Sequence, residues 1–226
     1  MKDVDSMNFC EGCTLYNRDT PHRVCIPPPK DKIRGCLISR DPTKEFLVPL
    51  AQYKHLSTDQ KGILWFNAPP CCLCNKIKIF MNFSEDSPEM IKLRDFLNYE
   101  CYWTHLHKCP TCKPGKNQDQ NQTSVRGMDD NFPPFEYSTA ISCALKWFDF
   151  EFDEYGLKDK VIITCGRDVE KFFNQWSKKH PSENFNKVIN LPHPSGANCG
   201  NGWSWKKNTD YQECITDEIN RLLKLI

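Results

Sequence analysis

At 226 residues and a formal net charge of +1, the chain is sized for one domain, or one domain with a sizeable insertion, and carries no global basic field. No window approaches the roughly 18 consecutive apolar residues of a membrane helix, and the opening MKDVDSMNFCEGC lacks the apolar core of a secretory signal. The expectation is a non-secreted chain with no membrane partner, cytoplasmic or (in a eukaryote) nuclear, whose 14 cysteines read as metal ligands or thiols rather than a disulfide framework.

Cys10 and Cys13 form a CxxC ahead of any regular element, which is half of a metal site. Residues 14–32 are polar and Pro-rich and read as an irregular lead-in. Ile33 to Ser39 is a short apolar run that fits a buried strand, ended by Arg40-Asp41-Pro42-Thr43. Pro42 keeps Asp41 out of helical geometry, so Asp41 sits at a strand-end turn, as a cap or as a site residue. Lys44 to Leu56 suits a helix that Pro49 interrupts. After Cys71, Cys72 and Cys74, Lys76 to Phe83 alternates like a strand. Ser87-Pro88-Glu89 opens a helix to about Tyr99, with Met90, Ile91, Leu93, Phe96 and Leu97 on its apolar face. Tyr102 to His107 is a second core strand, leading into Lys108-Cys109-Pro110-Thr111-Cys112.

Residues 113–134 are polar, Gln/Asn-rich and nearly free of aliphatics, so they read as a loop or insertion. Ser138 to Phe152 is an amphipathic helix, with Ile141, Ala144, Leu145, Phe148 and Phe152 at helical spacing. Val161 to Cys165 is a third strand. Asp168 is expected to cap the next helix, whose Val169, Phe172, Phe173 and Trp176 face inward. Val188 to Leu191 is the fourth strand. Asp210 opens a terminal helix with Cys214, Ile215, Ile219, Leu222 and Leu223 on its apolar face.

Short apolar strands alternating with amphipathic helices predict a three-layer α/β/α sandwich around a four-stranded, mainly parallel sheet. In such a sheet the strand ends share one edge, where ligands bind. Asp41, His107-Lys108 and His193 follow three of those ends. His193 lies in Leu191-Pro192-His193-Pro194-Ser195, a rigid turn that is either a plain surface turn or a site. Trp203 and Trp205, with Lys206 and Lys207 behind them, suit stacking on bases and neutralising phosphates.

The ordered set SRDPT, THLHKC, VIITCG and LPHPS resembles the uracil-DNA glycosylase superfamily, and most closely its iron–sulfur-containing branch. That branch has an N-terminal CxxC followed by Leu, similar to Cys10-Glu11-Gly12-Cys13-Thr14-Leu15. Its first motif, of the type G-E-A-P-G, is similar to Ser39-Arg40-Asp41-Pro42-Thr43, and its R-P-F-V-G-P-A-G segment to Lys44 to Ala51. A strand T-N-V-V-K-C is similar to Thr104 to Cys109, and a final H-P-S to His193-Pro194-Ser195. The chain departs from the pattern in three ways. The first motif lacks both Gly residues and has Asp41 where the classical enzymes (G-Q-D-P-Y) carry Asp. His105 stands where many members have an Asn that reads the base edge. Residues 113–134 are extra, and Cys25, Cys71, Cys72, Cys74, Cys101 and Cys112 have no counterpart.

The resemblance implies one glycosylase-like domain over 1–226, with the lead-in 1–32 and the insertion 113–134. It implies a monomeric, monofunctional base-excision repair enzyme acting on DNA, which takes uracil, hypoxanthine or another deaminated or damaged base out of the stack. Asp41 would orient a water beside the cationic sugar, and His193 would stabilise the anionic leaving base. Phe46 would stack on the base and His105 would read its edge, although a core Phe and a structural His are also open readings. Ser195, Trp203, Trp205, Lys206 and Lys207 would contact DNA. Cys10, Cys13, Cys109 and Cys143 would hold a 4Fe-4S cluster, with zinc as the alternative. Cys71, Cys72 and Cys74 with Cys101 or Cys112 are either a second metal site or buried thiols. Two other readings stay open: a metal-stapled nucleic-acid-binding protein without glycosylase activity, and a zinc protein with a redox thiol cluster.

Overall fold

A computed structural model describes residues 30–40, 72–108, 137–181, 185–194, 204–207 and 210–226. Its central layer is a sheet of β1 (Gly35–Ser39), β2 (Cys101–His105), β3 (Val161–Cys165) and β4 (Val188–Leu191). The order is β2-β1-β3-β4, and all three pairings are parallel. Helices α1 (Cys72–Met81), α2 (Pro88–Asp95), α3 (Tyr137–Glu154), α4 (Arg167–Ser177) and α5 (Gln212–Leu225) cover it, and a π-helical turn (Phe96–Glu100) joins α2 to β2.

Alternation along the strands assigns the two faces. Leu37, Ile163, Cys165, Ile189 and Leu191 bury one face against Ile77 of α1, Leu93 of α2 and Ile215, Ile219 and Leu222 of α5. Cys36, Ile38, Tyr102 and Ile162 bury the other against Ala144, Phe148 and Phe152 of α3 and Phe172, Phe173 and Trp176 of α4. The predicted α/β architecture, a sheet layered between helices, is therefore present, and the sheet is wholly parallel. Among the described residues, no helix is long and apolar enough to cross a membrane.

Local chemistry explains the main boundaries. Ser87 caps α2, its hydroxyl accepting from the Met90 amide at 3.3 Å, and Pro88 takes the first helical position. Gly35 is required at the start of β1: a Cβ there would lie 2.2 Å from Cζ of Phe96.

Several local expectations are corrected. Lys76 to Phe83 is not a strand but is mostly helix α1. Leu73, Cys74, Ile77 and Phe80 are buried at helical spacing, while Ile79 is 67% exposed. Ile91 and Leu145 point to solvent rather than to the core, and Cys214 is exposed. Asp168 lies inside the first turn of α4; Gly166 holds the cap position and offers no side-chain bond. Asp210 is a turn residue ahead of α5, and α3 begins at Tyr137. His107 lies beyond the end of β2.

Candidate functional site

Register brings the carboxyl ends of the strands to one edge. Ser39 faces His105 across β1 and β2, Ile38 faces Thr164, and Cys165 faces Leu191. Backbone pairing continues past the strands. The amides of Leu106 and His107 donate to the carbonyls of Ser39 and Arg40 at 3.0 Å, and the Gly166 amide donates to Leu191 at 2.8 Å. Arg40, His107 and His193 thus emerge at the same edge. Ser39 and His105 stand two residues beyond Leu37 and Trp103, so they take the sheet face covered by α1, α2 and α5. The ends of β2 and β4 are three strand spacings apart, about 14 Å.

His105 is 5% exposed, with Nδ1 lying 2.5 Å from the hydroxyl of Ser39. Its Nε2 is buried and has no hydrogen-bond partner among the described residues. Burial, followed by the Lys108 ammonium and the neighbouring His193 and His107, pulls its pKa from the ordinary 6.5 down to about 3. The ring is therefore neutral at physiological pH. Its one unmet nitrogen is a costly feature unless something binds there.

His193 is half-buried and packs over the turn from β3 into α4. Gly166 in that turn has φ +97°, and a Cβ on it would meet Cβ of His193 at 3.4 Å. The His193 carbonyl accepts from the indole N–H of Trp205 at 3.1 Å. The Trp205 ring packs edge-on against Phe80, with centroids 5.8 Å apart. Trp205 therefore straps the His193 turn to α1. Lys206 and Lys207 next to it are exposed.

Beneath the edge lies a buried polar network on the α3 side. Nζ of Lys108 is 2.8 Å from Oε2 of Glu151, and each side chain is 1% exposed. Thr104 donates to the same oxygen and Tyr102 to Oε1, each at 2.9 Å. Lys108 also bonds the Thr104 hydroxyl, and its ammonium sits 5.1 Å from the Phe148 ring centroid. Nearby, burial pushes the Cys36 thiol well up; the Glu151 charge adds to this and Lys108 opposes it. Cys36 is thus a neutral packing group.

Of the site residues expected from the sequence, the described part contains His105, His193, Trp205, Lys206, Lys207 and Cys143. His105 and His193 share one edge, and Trp205 is joined to His193. Cys143 on α3 accepts from the backbone amide of Lys108 at 3.5 Å, and Lys108 is the residue before Cys109 in the chain. Asp41, Phe46, Ser195, Trp203, Cys10, Cys13, Cys109, Cys25, Cys71 and Cys112 lie outside the described residues, as does the side chain of Cys72. Cys74 and Cys101 are buried in the core on the α1 side. Among the described residues no group of three or more His, Cys, Asp or Glu is arranged to hold a metal.

Sequence reasoning missed Ser39 as a partner of His105, and Glu151. The signal for Glu151 was present: it lies three positions after Phe148 on the buried stripe of α3, where a carboxylate needs a buried partner. Ser39 gave no such signal, because pairing across β1 and β2 depends on register. No protein-family model matches the chain, and no curated protein matches it.

Proposed function

We propose that this protein is a monofunctional DNA glycosylase that removes a deaminated or damaged base, of the uracil or hypoxanthine type, by hydrolysing the N-glycosidic bond. The observation that supports this best is the pair His105 and His193 at one carboxyl edge, the first buried and neutral with an unmet Nε2. A nucleobase edge is a ligand that such a buried nitrogen can bind.

In this reading the C1′–N bond breaks with its electron pair going to the base. Water adds its oxygen to C1′, and the carboxylate of Asp41 takes the proton that the water loses. His193 donates to the base as negative charge develops there. Phe46 stacks on the base. Ser195, Lys206 and Lys207 hold phosphates, and Trp203 fills the gap in the duplex. Trp205 acts indirectly, by holding the His193 turn.

Cys10, Cys13, Cys109 and Cys143 are proposed to hold a 4Fe-4S cluster, with zinc as the alternative. Cys143 accepts from the backbone amide of Lys108, which precedes Cys109 in the chain, and this supports Cys143 as a ligand in that reading. When bound, the metal group would staple the N-terminal lead-in to the sheet. Iron, sulfide and zinc analysis of the purified protein, with Cys143→Ser as the control, separates the two.

The functional test is incubation of the full chain with oligonucleotides carrying uracil, hypoxanthine and other damaged bases. Abasic product should form, and Asp41→Asn and His193→Ala should each lower its rate by about 100-fold or more. Unchanged rates in both variants would remove these roles. DNA binding without cleavage of any substrate would favour the alternative of a nucleic-acid-binding protein that lacks the chemistry.

A further inference from the structure

We propose that Glu218 and Arg221 of α5 form a side-chain latch that stands in for a further strand: it occupies the open edge of β4 and keeps a second copy of this chain from pairing there.

Among the described residues β4 ends the sheet and pairs only with β3. The carbonyls of Lys187 and Leu191 accept from the β3 side, from the amides of Ile162 at 2.9 Å and Gly166 at 2.8 Å. Alternation along the strand then turns the amides and carbonyls of Val188 and Asn190 outward. An open row of this kind is a template for another strand. The run Val188 to Leu191 adds to the hazard, being uncharged and rich in β-branched residues, with Lys187 and Pro192 at its ends.

Two of the outward groups are met by α5. The Asn190 amide donates to Oε2 of Glu218 at 3.0 Å, and the Val188 carbonyl accepts from Nη2 of Arg221 at 3.3 Å. Nη1 of Arg221 bonds the other Glu218 oxygen, so the two side chains hold each other in place. A residue of a parallel neighbouring strand would make the same two bonds, its carbonyl accepting from Asn190 and its amide donating to Val188. Glu218 and Arg221 lie about one turn apart on α5, beside the buried stripe of Ile215, Ile219 and Leu222. That stripe holds the helix on the sheet independently of the latch. The Arg221 side chain is half exposed, so cutting it back opens the edge from solvent.

Sedimentation velocity over a range of protein concentrations tests the latch. Glu218→Gln, whose amide oxygen still accepts from Asn190, should match the native chain. Glu218→Ala combined with Arg221→Ala should associate as concentration rises, its average mass growing about two-fold or more. The Asn190 amide of that variant should exchange quickly with deuterium when dilute and slowly when associated. Val188→Pro, at the first strand position, removes an outward N–H without touching a bond to β3, and adding it should return the double variant to the native mass. Arg221→Ala alone, at a half-exposed site, keeps the fold and should associate in the same direction, so a double variant that fails to fold leaves the test intact. Folded latch variants that keep the native mass at every concentration overturn the proposal. Association that Val188→Pro leaves unchanged, or in which the Asn190 amide still exchanges quickly, places the contact elsewhere and overturns it too.

Discussion

Lys108 and Glu151 form an ion pair 2.8 Å long in which neither side chain is more than 1% exposed. It ties the segment after β2 to α3, directly behind the edge that carries His105. Removing one partner leaves an uncompensated buried charge. Glu151→Leu should therefore destabilise the fold by about 3–5 kcal/mol. Lys108→Met combined with Glu151→Leu should recover part of this. It should stay about 1–3 kcal/mol below the native protein, because Thr104 and Tyr102 lose their acceptor. Urea denaturation of the single and double variants checks both figures. A double variant no more stable than the single would show that the buried charge is not the cause.

His105 makes stability depend on acid in a definite direction. Its pKa is about 3 folded against an ordinary 6.5, so the unfolded chain binds more protons between those values. The stabilisation from keeping the ring neutral is fully present above pH 6.5 and is lost as pH falls toward 3. Its slope is at most about 1.4 kcal/mol per pH unit. Replacement by Gln removes this titration. The difference between native and His105→Gln stability, followed by denaturant titration at several pH values, should shrink in favour of the variant as pH falls through this window. A pH-independent difference would contradict the buried, neutral assignment.

Gly166 lets the chain turn from β3 into α4 with φ +97° while His193 packs on it. Gly166→Ala adds strain at that φ, while the new Cβ would meet the His193 Cβ at 3.4 Å, an ordinary van der Waals contact. The expected cost is about 1–3 kcal/mol in stability. In the glycosylase reading, base excision should fall only as far as the lost stability explains, since the added methyl does not displace the His193 Cβ. Thermal unfolding alongside single-turnover cleavage measures the two effects separately.

Trp205→Phe keeps an aromatic ring against Phe80 but removes the N–H that bonds the His193 carbonyl. The loss should be about 1 kcal/mol of stability. DNA affinity should change little if Trp205 acts as a strap; a large loss of affinity with stability unchanged would instead mark direct DNA contact. Fluorescence anisotropy with a labelled duplex distinguishes these.

The sequence by itself determined the layers. Four short apolar runs separated by amphipathic segments require a sheet covered on both faces, because each strand has two faces to bury. It also put His193 after β4 and His107-Lys108 at the end of the second strand on the edge where a parallel sheet binds ligands, while it put His105, which ends β2, inside that strand. It misassigned Lys76 to Phe83, since Ile77 and Ile79 satisfy an alternating pattern and only contacts with neighbours select Ile77 and Phe80 as the buried pair. Tertiary structure alone decided three further things: that Ser39 meets His105, that Glu151 neutralises Lys108, and that Trp205 supports His193. The residues in each pair lie 66, 43 and 12 positions apart, so no local spacing encodes their contact. Register and helix packing bring them together, and burial then gives those contacts their energetic weight.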